Sequence, residues 1–467
     1  FYFIIILFLF LIKIKKEKRK SILHNIYLQN LGCEKNTVDG EHILSIVKNK
    51  GYNIIDNPEE ADIIIINTCA FIEDSKKESI DSIFEHSIYK KYGKCKRLIV
   101  SGCMSERYKE NFLEMFKEVD SAIGIHNLDN ILDAIEKDGF HDANENILYK
   151  EYSGRINTGS LHSAYIRISD GCHANCSFCA IPKIRGRHRS RKIEDIAAEV
   201  KNYAQNGVKE INLIAQETTY YGYDLYNKLA LPDLLENLSK INAIEWIRVL
   251  YQNPVILTDK IIESFFKIDK VLPYFDIPMQ HVDKNILKDM NRGGRGYKFY
   301  RNMIDKIRGF DDNAVIRSSF IVGFPGETAE SFKKLLKFIR NAKIDRVGVF
   351  AYSEEDGTDA LTIDKPKINN RRKLLLREKL MKTAIEVSEE RLSRLIGKTI
   401  DVLVEKIEDD KIVGRSIYDA PEVDGYVEVY QNSDNMNDLN NIKIGDIIKA
   451  DIKHNTEYDL IGDLHKS

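Results

Sequence analysis

GCHANCSFCAIPKIRGRHRSR, residues 171–191, sets three cysteines in a Cys-x3-Cys-x2-Cys array and then places an arginine at every second residue from Arg185 to Arg191. Three thiolates are one ligand short of a closed tetrahedral metal site. Two readings follow. One is zinc, with His173 or His188 as fourth ligand. The other is a [4Fe–4S] cluster held through three irons by Cys172, Cys176 and Cys179, its fourth iron left open. Structural zinc favours two separated Cys-x2-Cys pairs or a cysteine pair followed by a histidine pair. Four-cysteine cluster ligation serves electron transfer. The three-thiol loop therefore points to a cluster whose open corner chelates a substrate or cofactor.

The strings around this loop predict the fold. YIRIS (165–169) reads as the strand before it, and EDIAAEVKNYAQNG (194–207) as the helix after it, closed by Gly207. Further strands are EINLIAQ (210–216), WIRVLY (246–251), YFDIPMQ (274–280), VIRSSFIVGF (315–324) and RVGVFAYS (346–353), with helical segments between them. Six β/α units over 160–395 predict an open (β/α)6 barrel, ending in a long charged helix at about 369–395. Chemistry in such barrels sits at the carboxyl ends of the strands, where the cysteine loop falls.

Toward the N terminus, IYLQNL (26–31), ADIIIIN (61–67), KRLIVS (96–101) and SAIGI (121–125) alternate with helical stretches. They predict an open parallel α/β sheet over 25–140. Cys33, Cys69 and Cys103 each fall just past one of these strands, in LGCEKN, NTCAF and SGCMS. Ligands of open parallel sheets lie in the crevice beyond the strand ends, so these three cysteines are expected to converge. Cys95 belongs to neither set and reads as a free thiol.

Toward the C terminus, TIDVLVEKI, DKIVGRS, YVEVY and DIIKADI predict a small OB-like β-barrel over 398–467. That segment carries 16 acidic and 8 basic residues. Phosphate backbones are bound by Lys and Arg, so it is poorly charged for RNA and suited to a basic protein.

The whole chain, 467 residues with a formal net charge of -2, excludes a uniformly basic protein that coats nucleic acid. Seven cysteines do not make a disulfide scaffold in a chain this long; their grouping points to metal ligation in a reducing compartment, with the cytoplasm as default. Residues 1–24 are an anomalous leader that opens on FYFIIILFLFLIKIKKEKRK. Its apolar run is short for a membrane span and its basic residues follow the run where a signal peptide has them first. It reads as a misread or extended start, and membrane association is not expected.

Other candidates lie beside the cysteine loop. In an extended segment Arg185, Arg187, Arg189 and Arg191 would share one face, and at least one, Arg187 among them, is expected to meet an anionic cofactor or substrate. Gln216 and Glu217 end one barrel strand, and Gln280 and His281 end another. Gly323 opens GFPGET (323–328) past a third, where backbone can approach a ligand closely. Tyr220 and Tyr221 read as aromatic packing more than as a shield for a reactive species.

The cysteine spacing is similar to that of radical S-adenosylmethionine (SAM) enzymes. Together with Cys33, Cys69 and Cys103 and a C-terminal TRAM-like barrel, the chain resembles the methylthiotransferases. The strings LGCEKNTVDGE, NTCAFIEDSKKESID, RGRHRSR, AQETTYYGYD, DIPMQH, FIVGFPGET, YSEEDGT and RSIYDAPEVDG resemble the RimO type, which modifies protein S12 of the small ribosomal subunit. The likeness runs over about 25–465. Glu217 stands where an Asp is commoner, and YQNP (251–254) departs from the usual string. The resemblance implies two [4Fe–4S] clusters, on Cys172/Cys176/Cys179 and on Cys33/Cys69/Cys103, and SAM at the open iron of the first. It also implies a radical that takes hydrogen from the β-carbon of an aspartate, sulfur supplied through the second cluster and methylated by a second SAM, and an electron donor such as flavodoxin or ferredoxin. Gln216, Glu217, Gln280, Arg187 and Gly323 are the expected cofactor contacts. One alternative is a MiaB-type tRNA adenosine methylthiotransferase, disfavoured by the acidic barrel and by QETTYYG. Another, of a different class, is a non-catalytic zinc-stabilised RNA-binding scaffold. Stable nucleic-acid binding is not expected.

Overall fold

The computed structural model describes residues 24–142, 154–430 and 442–465. Apart from His24, the leader lies outside the described residues. No described helix is long and apolar enough to cross a membrane. The chain divides into two compact units. The first comprises the described residues of Phe1–Ala70, Asp74–Ile147 and Ser153–Ile156, and the second those of Phe71–Glu73, Leu148–Tyr152 and Asn157–Ser467.

In the first unit a run of four isoleucines (63–66), each at most 5% exposed, makes the middle of a sheet apolar on both faces. All pairings are parallel. The strands are β1 (Asn25–Asn30), β2 (Asn53–Ile54), β3 (Ile63–Thr68), β4 (Arg97–Gly102), β5 (Ser121–Ile123) and β6 (Gly139–His141), in the order β2-β1-β3-β4-β5-β6. Four match the sequence expectation. β2 and β6, two and three residues long, are too short to carry a readable period.

The second unit is built on six parallel strands, β7 (Ser163–Arg167), β10 (Glu210–Ile214), β11 (Trp246–Val249), β12 (Tyr274–Asp276), β13 (Val315–Val322) and β14 (Arg346–Ala351). β7, β10 and β11 form one ladder and β12, β13 and β14 another. The two join through the Ile247–Val271 bridge, where the Leu272 amide donates to the Ile247 carbonyl at 2.9 Å. This is the open (β/α)6 arrangement. The first crossover helix, Ile193–Gln205, ends as expected on Gly207, at φ +92°. The Gly207 and Val208 amides donate to the Ala204 and Tyr203 carbonyls, closing the helix as a Schellman motif. Between β7 and that helix sits a two-strand hairpin, β8 (Ser169–Asp170) with β9 (Arg189–Ser190), and the cysteine loop is the excursion it brackets. The long charged helix spans Asn370–Ser393.

The rest of the unit is a closed barrel of β15 (Thr399–Ile407), β16 (Lys411–Ser416), β17 (Val427–Tyr430), β18 (Ile447–Asn455) and β19 (Leu460–Leu464), in the order β15-β16-β17-β19-β18. β19 was not anticipated. Segment 415–425, RSIYDAPEVDG, seats this barrel under the amino ends of the (β/α)6 strands. There Arg415 and Arg248 converge on Glu210, the first residue of β10, at 2.6 and 3.1 Å. Arg346, first in β14, meets Asp419 at 2.6 Å, and the hydroxyl of Tyr274, first in β12, donates to Asp424. Three of the acids counted above, Glu405, Asp419 and Asp424, are thus neutralised against arginines inside the unit and add nothing to an outer acidic surface.

Candidate metal centre

Gly171 turns the chain into the cysteine loop. Its φ is +72°, and a Cβ there would stand 2.2 Å from the Arg187 carbonyl oxygen. The Cys172 amide then donates to the Gly186 carbonyl at 3.1 Å, and the Cys179 amide to Cys176 at 3.1 Å. Distant segments clasp the middle of the loop. The Ser177 amide and hydroxyl donate to the carbonyls of Met290 and Asp289, at 3.1 and 2.7 Å, and the Ala360 amide donates to the Ser177 carbonyl at 2.7 Å. Lys183 donates to the Gly357 carbonyl. The string YSEEDGT therefore borders the loop.

The three cysteine thiols are not gathered closely enough to share one zinc ion. Among the described residues, the only three candidate ligands whose donor atoms lie within 4.8 Å of one another are Cys172, His173 and Glu217. Thiolates sharing one tetrahedral zinc at 2.3 Å stand about 3.8 Å apart, and Cys176 and Cys179 do not join that trio. Burial, then Glu217, pushes the Cys172 thiol up to about 12; burial, then Cys176, does the same for Cys179.

The arginines do not share a face. Gly186, at φ +74°, breaks the extended run on which that expectation rested. Arg185 is buried against Asp170 at 3.3 Å, Arg189 approaches the same carboxylate at 3.8 Å, and Arg191 pairs with Glu199 at 2.6 Å. Burial opposes the charge of Asp170, but Arg185, Arg167 and Arg189 hold its carboxyl far below the usual range. Arg187 alone of the four is exposed and makes no hydrogen bond or ion pair among the described residues.

At the end of β10, Glu217 is buried with Oε2 3.1 Å from His173 Nδ1, and Oε1 accepts from Thr219 at 3.0 Å. Among the described residues the buried Gln216 Oε1 has no hydrogen-bond partner, and neither do Ser169 Oγ, Gln252 Oε1 or the Tyr352 hydroxyl, all just past strand ends. Gln280 has φ +67°, a strained conformation for a non-glycine residue; its backbone bridges to β13 through Ser319 and Ile321. His281 Nε2 lies 3.4 Å from Glu327, and Glu327 also accepts from the Gly323 amide. Gly323 has a packing reason to be glycine: its φ is +79° and a Cβ would meet Lys373 Cγ at 2.4 Å. Tyr220 stacks on His173 with centroids 3.7 Å apart, and Tyr221 is buried with its hydroxyl on the Arg191 carbonyl at 2.7 Å. Both are packing residues.

In the first unit, Cys33, Cys69 and Cys103 stand at the carboxyl ends of adjacent strands β1, β3 and β4. Gly32 and Gly102, both at positive φ, make the turns; a Cβ on Gly32 would stand 3.0 Å from Cys69 Sγ. Cys33 caps the helix Glu34–Asn49, and from its first turn the buried Asn36 reaches across the set. Asn36 Nδ2 donates to the Leu31 and Thr68 carbonyls at 2.9 Å each, and its Oδ1 accepts from Cys103 Sγ at 3.5 Å. Ser79 fastens Cys69 by accepting from its amide at 3.0 Å and donating to its carbonyl at 2.8 Å. Sequence reasoning passed over Asn36 and Ser79. The place of Asn36 within LGCEKN was the available signal, and Ser79 had none. Cys95 is a separate buried thiol.

Half-barrel and three-thiol loop together define a radical SAM enzyme, and a Radical SAM superfamily profile matches residues 166–339. Residues 25–124 match a family described as "Uncharacterized protein family UPF0004", and 396–464 match the TRAM domain. Ribosomal protein uS12 methylthiotransferase RimO of Thermoanaerobacter sp. (strain X514) is 43% identical over 94% of this chain and 100% of its own length. The enzyme of the same name from Clostridioides difficile (strain 630) is 42% identical over 94% and 98%. The chain belongs to the family of ribosomal protein uS12 methylthiotransferases. Among solved structures, the radical SAM methyltransferase TsrM of Kitasatospora setae shares the fold at 12% identity, with a TM-score of 0.51 over 71% of this chain and 75% of its own.

Proposed function

We propose that this chain methylthiolates the β-carbon of an aspartate on ribosomal protein S12, with two [4Fe–4S] clusters and SAM as cofactors. The observation that carries the reading is the 43% identity to a uS12 methylthiotransferase along its whole length. When bound, the clusters and SAM supply the electron, the radical, the sulfur and the methyl group. Cys172, Cys176 and Cys179 hold the cluster that meets SAM, leaving one iron open; Cys33, Cys69 and Cys103 hold the other. Glu217 and the unbonded Gln216 Oε1 accept from donors of SAM. Gln280 and Gly323 are the contacts it makes at two further strand ends, and the side chain of Arg187, which has no partner among the described residues, meets a carboxylate of cofactor or substrate. An electron donor of the flavodoxin or ferredoxin kind reduces the enzyme in the cytoplasm, and no stable nucleic-acid complex forms.

Two measurements test the reading. Anaerobically reconstituted protein should hold about eight irons per chain, four for each cluster; zinc without iron would end the enzyme reading. Mass spectrometry of S12 from a deletion strain should show the methylthio mark gone and tRNA unchanged. Loss of a tRNA mark with S12 intact would move the substrate to tRNA.

A further inference from the structure

The helix Lys284–Asp289 ends in a turn from which several side chains and carbonyls reach the cysteine loop, more than a hundred residues earlier in the chain. Asn291 takes the left-handed conformation, φ +53°, that a Schellman cap requires. The Asn291 and Arg292 amides donate to the Lys288 and Leu287 carbonyls at 3.0 and 2.8 Å, so the exit direction of Arg292 is fixed by backbone. From this turn Asp289 and Met290 offer their carbonyls to Ser177, and Asn291 Nδ2 donates to the Asn175 carbonyl at 2.7 Å. The guanidinium of Arg292 then spans two partners. Nη2 donates to the Pro278 carbonyl at 2.7 Å, and Nη1 points at Cys176 Sγ from 3.7 Å. Its Nε is buried and unbonded. Among the described residues Cys172 Sγ, by contrast, receives only the neutral Ala174 amide, at 3.4 Å.

We propose that Arg292 is a positioning residue that holds the Cys176 thiolate through a charge-assisted N–H···S contact and thereby raises the potential at which the open-cornered cluster accepts its electron. This rests on the reading that Cys176 ligates that cluster. Reduction adds a negative charge to a centre already carrying three thiolates. A guanidinium anchored in a partly desolvated place stabilises the reduced state more than the oxidised one. Ligand-sphere hydrogen bonds of this kind also fix the orientation of the ligand itself.

The test is an anaerobic redox titration of the reconstituted full-length chain, reading the electron paramagnetic resonance signal that SAM perturbs, beside an iron count. Arg292→Gln should keep its iron and fall at least tenfold in reduced-to-oxidised ratio at a fixed poise, which is about 59 mV for one electron. Arg292→Lys keeps the charge without the directed fork and should fall by less. Asn291→Gly keeps the cap, removes only the Asn175 contact, and should titrate as wild type. A wild-type midpoint in R292Q or in R292K overturns the proposal, and R292K decides alone if R292Q binds no iron. A fall in N291G equal to that of R292Q would assign the effect to the turn and overturn it too. Wild-type protein without iron would instead sink the functional reading above.

Discussion

The two ends of the (β/α)6 barrel treat their buried polar groups in opposite ways. At the amino ends of the strands, carboxylates meet guanidinia at every turn. Glu210 sits between Arg248 and Arg415, Asp419 on Arg346, and Asp345 between Arg391 and Arg308, at 2.8 and 3.0 Å. At the carboxyl ends, Ser169 Oγ, Gln216 Oε1, Gln252 Oε1 and the Tyr352 hydroxyl are buried without partners among the described residues. Folding leaves few such atoms unbonded unless something else satisfies them. One end is closed largely by its own chain, through RSIYDAPEVDG, with Arg308 Nε and Arg394 Nε still unbonded beside Asp345 among the described residues; the other is left open at the strand ends beside the thiols. Stability and chemistry are thereby separated along the barrel axis.

The largest effect that would break this contrast lies at the closed end. Glu210→Ala would leave Arg248 and Arg415 buried with their shared carboxylate gone. Such a loss costs about 3–5 kcal/mol of unfolding free energy, measured by urea denaturation of the cluster-free chain. A cost below about 1 kcal/mol would mean that the amino end is not where the unit stores its stability. Acid gives the same answer without mutation. Burial alone would raise the carboxyl of Glu210, but Arg415 and Arg248 outweigh it and hold the group at about 2, against 4.5 when free. With the folded value below the unfolded one, its contribution is complete above pH 4.5 and drains away as pH falls toward 2. That loss amounts to about 3 kcal/mol, and E210A should lack it.

How much of this contrast the sequence discloses depends on whether a residue's partner is near it in the chain. The strands are legible because each carries its own apolar run, and the cysteine loop because its ligand spacing is local. The glycines before Cys33, Cys103 and Cys172 sit in plain view, and their positive φ explains the Gly-Cys pairs. Glu210 looks like any acid opening a strand, since Arg415 lies some two hundred residues away. Arg292 is hidden for the same reason: nothing near it says that its helix cap is built against Cys176. The arginine comb misled in the other direction. Its alternation promised one face, but a single glycine at 186 split a local pattern three ways, with Arg185 and Arg189 on Asp170, Arg191 on Glu199 and Arg187 exposed. The acid count of the last barrel misled more mildly, because composition does not say which carboxylates are already spent on arginines.

At the open end the expected changes are smaller and of opposite sign for folding and binding. Gln216→Met keeps the length of the side chain and removes a buried carbonyl oxygen that no group among the described residues satisfies. Removing an unsatisfied acceptor leaves stability unchanged or raises it by about 1 kcal/mol. SAM binding, by contrast, should weaken about tenfold if that oxygen accepts from the cofactor. Calorimetry with the reconstituted protein reads the second and denaturation the first. Destabilisation with unchanged SAM affinity would place Gln216 with the closed end.

The smallest effect sharpens the contrast inside the comb itself. Arg185 and Arg187 are two residues apart, yet one is buried on Asp170 and the other is exposed beside Gly186 with no partner among the described residues. Arg187→Ala should therefore leave the melting temperature where it is. An exposed arginine that meets a carboxylate only in the complex is worth about two- to fivefold in KM for SAM or for S12, with kcat little changed. Arg185→Ala should do the reverse, lowering the melting temperature by stranding Asp170. Equal losses of stability in the two variants would mean that Gly186 does not divide the comb, and that the alternation in RGRHRSR describes one structural face after all.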